Sequence, residues 1–200
     1  MIKLLFSLRK QITIAFSGGV DSVAVADFLS KKHDVTCAFY HHGTENSERA
    51  WAFVSKFCTE RRLPLLVGVL NNTKPKKMSC EEFWRTERYK FLNELNMPII
   101  TAHHLDDCVE TYIWSALHGT PKIPNLVRGN VLRPFLTTPK NEFIDWCNRK
   151  DLEWCEDLSN DDERYTRNYI RKHIVPKALV VNPGLDRKST RLNSSHMSES

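Results

Sequence analysis

No stretch of the 200-residue chain is apolar for the roughly 20 residues that a helix needs to cross a bilayer. The opening MIKLLFSLRK is too short, and returns to charge too soon, for a secretory leader. A cytoplasmic address without a membrane partner is the expectation. CxxC is missing among Cys37, Cys58, Cys80, Cys108, Cys147 and Cys155, which argues against a structural zinc or iron–sulfur site and for reduced, core-type thiols. GxxxxGK and GxGxxG are missing as well, which excludes a Walker phosphate loop and the dinucleotide fingerprint. A strong charge bias is also absent: 29 Lys plus Arg against 24 Asp plus Glu leave +5, compatible with a nucleic-acid partner but too little to identify one.

What is present suffices for a core, since 41% of residues are hydrophobic and 10% aromatic. Strand-like QITIAF (11–16), DVTCAFY (34–40), LLVGVL (65–70) and MPIITA (97–102) alternate with helical spacing over VAVADFLSKK (23–32), 47–61, about 80–95, and from HHLDDCVET to about 117. This β-α repeat predicts an α/β fold with a doubly wound, mostly parallel sheet. The pattern loosens through GTPKIPNLVRGN, then gives a short extended piece at 132–136, a helix over 140–150 and a basic helix or helix pair interrupted near Pro176. The expected organisation is a catalytic core over 1–136, a short helical extension over 137–184, and a disordered or non-native tail over 185–200.

The sharpest local signal is Ser17, Gly18, Gly19, Val20, Asp21 and Ser22, directly after the first strand. Two glycines permit a tight turn, and two hydroxyls with the amides of an incoming helix make a cradle for phosphate oxygens. A second cluster follows the fourth strand: His103 and His104, then Asp106, Asp107 and Glu110 at helical spacing. Such carboxylates can hold Mg²⁺, receive an ammonium group or take a proton from an amine, while helix capping is the plainer alternative. Arg85, Arg88 and Tyr89 share a helical face and can clamp phosphate and stack a base, with salt-bridge decoration as the competitor. Asp157, Ser159, Asn160, Arg164, Arg167, Asn168 and Arg171 pass from an acidic turn into a basic helix that Lys172 and His173 extend, a candidate RNA-binding stripe.

SGGVDS resembles the signature of the N-type ATP pyrophosphatases, the PP-loop enzymes, in which ATP is split to AMP and pyrophosphate through an adenylated intermediate. The ordered set SGGVDS, HHG at His41–Gly43, RTERY at Arg85–Tyr89, AHHLDDCVET at Ala102–Thr111, RPFL at Arg133–Leu136 and EDLSNDDERYTRNYIRKHIVP at Glu156–Pro176 resembles the tRNA(Ile)-lysidine synthetases more closely than other branches. It departs from them in carrying Cys108 where Gln is usual and Trp84 where Ala is common. The further tRNA-binding domains of longer members have no counterpart in these 200 residues.

The resemblance implies ATP and Mg²⁺ as cofactors, and free L-lysine and a CAU-anticodon tRNA(Ile) as partners. The implied reaction joins lysine to carbon 2 of the wobble cytidine after adenylation of the oxygen there. On this basis Ser17, Gly18, Gly19, Val20, Asp21 and Ser22 hold the nucleotide phosphates, and Asp21 and Asp107 are the metal candidates. His41 and His42 either contact adenosine or shape a turn. Asp106, Asp107 and Glu110 are the acids facing the amine, with Asp106 favoured. Arg85, Arg88, Tyr89, His103, His104, Arg167, Asn168 and Arg171 face the RNA, with Arg85 and Asp21 also counted as catalytic. Alternatives are a PP-loop cytidine thiolase, disfavoured by the missing CxxC, and an RNA-binding protein with an inactive ATP site. A homodimer is left open.

Overall fold

The computed structural model describes residues 1–156, 163 and 165–185. Asp157, Ser159, Asn160 and Arg164 of the third cluster lie outside the described residues, as do positions 186–200 of the expected tail.

The chain runs β1 (Gln11–Ala15), α1 (Val20–Ser30), β2 (Asp34–His41), α2 (Glu45–Arg61), β3 (Leu65–Val69), α3 (Cys80–Glu94), β4 (Ile99–Ile100) and α4 (Leu105–Leu117). Then come β5 (Val127–Arg128), β6 (Val131–Leu132) and α5 (Lys140–Arg149). The described chain closes with α6 (Thr166–Tyr169), a π-helical turn (Ile170–Ile174) and α7 (Val175–Val181). Local chemistry marks the ends. Thr44 and Ser79 cap α2 and α3 by accepting from the Ser47 and Glu82 amides at 3.2 and 3.1 Å. Arg62, at φ 53°, ends α2 just ahead of Pro64.

The six strands lie in the order β3-β2-β1-β4-β6-β5, parallel except for the β5–β6 hairpin. Alternation along β1 and β2 sends Ile12, Ile14, Val35, Cys37 and Phe39 to one face, where they meet Val25 and Leu29 of α1, Val54 and Phe57 of α2, and Phe143 and Cys147 of α5. Ala15, Ala38 and Leu66 turn to the other face and meet Tyr89, Leu92 and Leu95. A third cluster joins Val109 and Ile113 of α4 to Ile170 and the helix that follows it. The expected doubly wound sheet is therefore present, with a C-terminal helix packed on α4.

The strand order reverses direction between β1 and β4. In open α/β sheets ligands bind outside the carboxyl ends of the strands at this kind of switch point. The loops leaving β1 and β4 are the two that carry SGGVDS and HHLDD. No helix among the described residues is long and apolar enough to cross a membrane.

Candidate active site

After β1 the backbone turns at Gly18, whose φ of +83° is left-handed. A Cβ on Gly18 would also approach Phe53 and Val54 at 3.1 Å. Cys155 clamps the turn from behind by donating its amide to the Gly18 carbonyl at 2.9 Å. Helix α1 then starts at Val20 with Gly19 as N-cap and no side chain bonded to its first turn. Those amides, backed by the helix dipole, remain available to an anion. The Ser17 and Ser22 hydroxyls stand 3.2 Å apart beside them, and Ser22 also donates to the Gly19 carbonyl at 2.9 Å.

Facing this loop is the start of α4. His104 is 3% exposed and lies between carboxylates: its Nε2 is 3.5 Å from Asp21 Oδ2, and its Nδ1 is 3.6 Å from an oxygen of Asp106 and of Asp107. Burial alone would lower the His104 pKa, but Asp107, Asp21 and Asp106 together raise it above its ordinary value. Asp107 accepts the His104 amide at 2.9 Å. Burial pushes the Asp107 carboxyl up, yet His104, His103 and that amide bring it below its ordinary value, so it is ionised at neutral pH. Through the same Oδ2 that faces His104, Asp106 also accepts the first amide of α5, from Lys140, at 2.8 Å. One buried imidazole thus lies between the phosphate loop and the acidic helix as a charge partner to both, its Nδ1 without a hydrogen-bond partner among the described residues.

On the far side of Asp107 the charge changes sign. His103 bonds Thr101 Oγ1 at 2.8 Å, and burial, partly offset by Asp107 and reinforced by Arg133, Arg88 and Arg85, lowers its pKa to about 4. It is neutral at physiological pH. Arg85 and Arg88 lie 5.0 and 5.9 Å from the Tyr89 ring centre. Arg133, 3% exposed, donates to Tyr89 Oη at 3.2 Å and to the Asn125 carbonyl at 2.7 Å, and its Nε has no partner among the described residues. None of these three guanidiniums has a carboxylate partner among the described residues. Burial lowers the pKa of Arg88, the cost of a cation held away from water.

The remaining candidates have other partners. Glu110, with a side chain 5% exposed, receives Arg171 through Nε at 2.5 Å and Nη2 at 3.0 Å, so both its oxygens are engaged. Arg167 pairs with Glu81 at 3.6 Å and lies over Trp114, while Asn168 is buried. His41, at the end of β2, accepts the Gly43 amide at 3.1 Å and faces Glu48 at 3.3 Å, and His42 packs between Tyr40 and Trp84.

A family profile described as a PP-loop domain matches residues 3–178. The chain belongs to the PP-loop domain family. Among curated proteins this PP-loop chain is 30% identical over 187 residues to the tRNA(Ile)-lysidine synthase of Haemophilus ducreyi, covering 87% of itself and 43% of that protein. To the tRNA(Ile)-lysidine synthase of Nitrosomonas europaea it is 30% identical over 207 residues, covering 94% and 45%. It therefore spans less than half the length of these relatives. The NH3-dependent NAD synthetase of Campylobacter jejuni, solved with nitrate, is similar in fold alone: TM-score 0.55 over 94% of this chain and 86% of that one, at 16% identity.

In the PP-loop frame the structure brings Asp21, His104, Asp106 and Asp107 into one group and sets Arg85, Arg88, Tyr89 and His103 beside it. Arg133 is the site residue that the sequence reading missed as an individual. Its signal was in RPFL, but a buried arginine is not inferred from composition, because arginines are mostly exposed.

Proposed function

We propose that the chain joins the ε-amine of free L-lysine to carbon 2 of the wobble cytidine of a CAU-anticodon tRNA(Ile), using ATP and releasing AMP and pyrophosphate. The observation that carries this reading is the placement of buried His104 within 3.6 Å of the phosphate-loop carboxylate of Asp21 and of the acid pair Asp106 and Asp107, which puts all three acids in one site. The similarity to the tRNA(Ile)-lysidine synthases supports the choice of acceptor.

In the first step the oxygen on carbon 2 attacks the α-phosphorus, and the bond to the β-phosphate oxygen breaks. The uncapped amides of α1 with Ser17 and Ser22 hold the departing pyrophosphate. In the second step the amine attacks carbon 2 and the bond to AMP oxygen breaks. A lysine amine has a reference pKa of about 10.4, so the site must remove a proton before attack. Asp106 keeps one oxygen on the α5 amide, which aims the other. Asp106 is the proposed base and Asp107 the ammonium partner. Glu110 is proposed to act through the Arg171 guanidinium that both its oxygens receive. Arg85, Arg88 and Arg133 face the RNA phosphates and the charge that grows on the adenylyl group.

The residues also suit Mg²⁺. Asp21 Oδ1 is buried without a hydrogen-bond partner, and Asp107 is ionised. Among the described residues no three His, Cys, Asp or Glu side chains gather as an all-protein cage, which fits an ion held by one or two carboxylates and by phosphate oxygens. When bound, Mg²⁺ supplies charge neutralisation to the pyrophosphate.

The test is nucleoside mass spectrometry after incubation with ATP, Mg²⁺, isotopically labelled lysine and the CAU-anticodon tRNA(Ile). Labelled lysidine is expected from the unmodified chain and at least about 100-fold less from Asp106→Asn, the usual effect of losing a general base. AMP and pyrophosphate without lysidine would leave the ATP chemistry standing and reject lysine or this tRNA as acceptor.

A further inference from the structure

Between Glu60 and Glu81 the sequence has no Asp or Glu but carries Arg61, Arg62, Lys74, Lys76 and Lys77. The three lysines sit in the loop joining β3 to α3. Because β3 runs parallel to β1 and β2, this loop leaves the sheet at the same carboxyl edge as the phosphate loop and His41. The loop is built rather than slack. At its base Asn72 donates to Glu87, which is 6% exposed and takes Lys90 Nζ on its other oxygen at 2.6 Å. At its tip Lys74 folds back to donate to the Met78 carbonyl at 2.9 Å, and the Met78 amide closes a turn onto Pro75 at 3.1 Å. Lys76 and Lys77 are exposed, with no carboxylate partner among the described residues.

The same loop runs straight into α3, whose Arg85 lies only about 8 Å along the axis from Cys80 at 1.5 Å per residue. We infer that Lys76 and Lys77 form a second phosphate-binding patch, which contacts the RNA backbone outside the reacting nucleotide and lines it up with Arg85 and Arg88. This rests on the tRNA reading above and deepens it. An RNA strand fits the patch better than a protein partner does, because the charge on the braced loop has one sign and is carried by compact ammonium groups, with the guanidiniums of Arg85 and Arg88 following on α3 beyond the exposed Glu81 and Glu82 of its first turn. The competing role is protective: lysines beside the exposed Val67 and Val69 of the edge strand β3 can simply discourage pairing with other chains.

The experiment measures binding of the labelled CAU-anticodon tRNA(Ile) across a range of KCl concentrations. It compares the unmodified chain, Lys76→Gln/Lys77→Gln and the charge-matched control Lys10→Gln/Lys56→Gln at the amino edge and on α2. Removing one lysine–phosphate pairing lowers the slope of log affinity against log salt by roughly 0.7–1. The Lys76/Lys77 variant is expected to lose about 1.5–2 from the slope and about 5- to 30-fold in affinity at moderate salt. Its ATP affinity and thermal midpoint should match the unmodified chain, and the control should keep the original slope. An unchanged slope in the Lys76/Lys77 variant, with tRNA bound by the unmodified chain, overturns the patch and leaves the tRNA reading intact. Equal loss in the control also overturns it, since the effect would then be net charge. Failure of the unmodified chain to bind tRNA while it binds ATP overturns the reading and the patch together.

Discussion

At φ +83° Gly18 occupies the left-handed region, and the aromatic and valine side chains of α2 close off the space a Cβ would take. Its neighbour Gly19 has φ −72°, and a Cβ there would meet only Ser17 Oγ at 3.6 Å. The two glycines therefore answer to different constraints. Gly18→Ala should lower unfolding free energy by about 2–3 kcal/mol, the sum of left-handed strain and crowding. Gly19→Ala should change it by less than about 1 kcal/mol, so any loss of ATP affinity there reports on the anion cradle. Urea denaturation of both variants checks this, and equal destabilisation would contradict the assignment. At the same scale, Arg133 shows what a linear reading misses. Its meaning depends on Tyr89, which lies 44 positions away on another element and makes a buried guanidinium part of the site.

Helix α4 and the π-helical turn are joined by Glu110 and Arg171 across 61 positions. The π turn has a local cause. Pro176 has no amide proton to give and its ring crowds the carbonyl one turn back, so the chain widens just ahead of it. Removing Arg171 leaves a buried carboxylate alone. Arg171→Met should cost about 2–3 kcal/mol, at the lower end for buried pairs because the arginine is itself 37% exposed. Hydrogen exchange should then rise first over 166–181, and Glu110→Leu in the same chain should recover most of the loss. Exchange rising evenly over the sheet would contradict this. The elements from β1 to α4 were legible because each strand has alternation or a continuous apolar run, α2, α3 and α4 have a spaced apolar face, and α1 is an apolar run that follows directly on the glycine turn. The β5–β6 hairpin was not, because two strands of two residues give periodicity nothing to act on, although Gly129 and Asn130 sit in the turn between them. The phosphate loop and the acids could be read locally. The contact between them, His104 with Asp21, and the link from the acidic helix to the π-helical turn, Glu110 with Arg171, are set by tertiary packing.

For the molecule as a whole, the adjacent histidines pull stability in opposite directions with pH. The His104 pKa is raised in the fold, so its contribution is complete below the unfolded value of 6.5 and is lost as pH rises through the folded value. The His103 pKa is lowered to about 4, so the fold keeps it neutral and loses stability as pH falls from 6.5 towards 4. This second effect is at most about 3.4 kcal/mol. Maximum stability is therefore expected near pH 6.5. His103→Asn should flatten the acid side and His104→Asn the alkaline side of a plot of denaturation midpoint against pH. A profile that neither variant alters would show that other groups govern the titration.

The bond from the Cys155 amide to the Gly18 carbonyl has a consequence in time. A ribosome makes Cys155 well after Gly18, and the core residues Phe143 and Cys147 that pack against α1 also follow it. Until then the nascent chain can form β1 and the turn after it, but the back of that turn has no clamp and α1 lacks its α5 cover. Competence to hold a nucleotide is thus acquired only once the chain has grown past Cys155, when the clamp on Gly18 and the α5 cover of α1 are both in place.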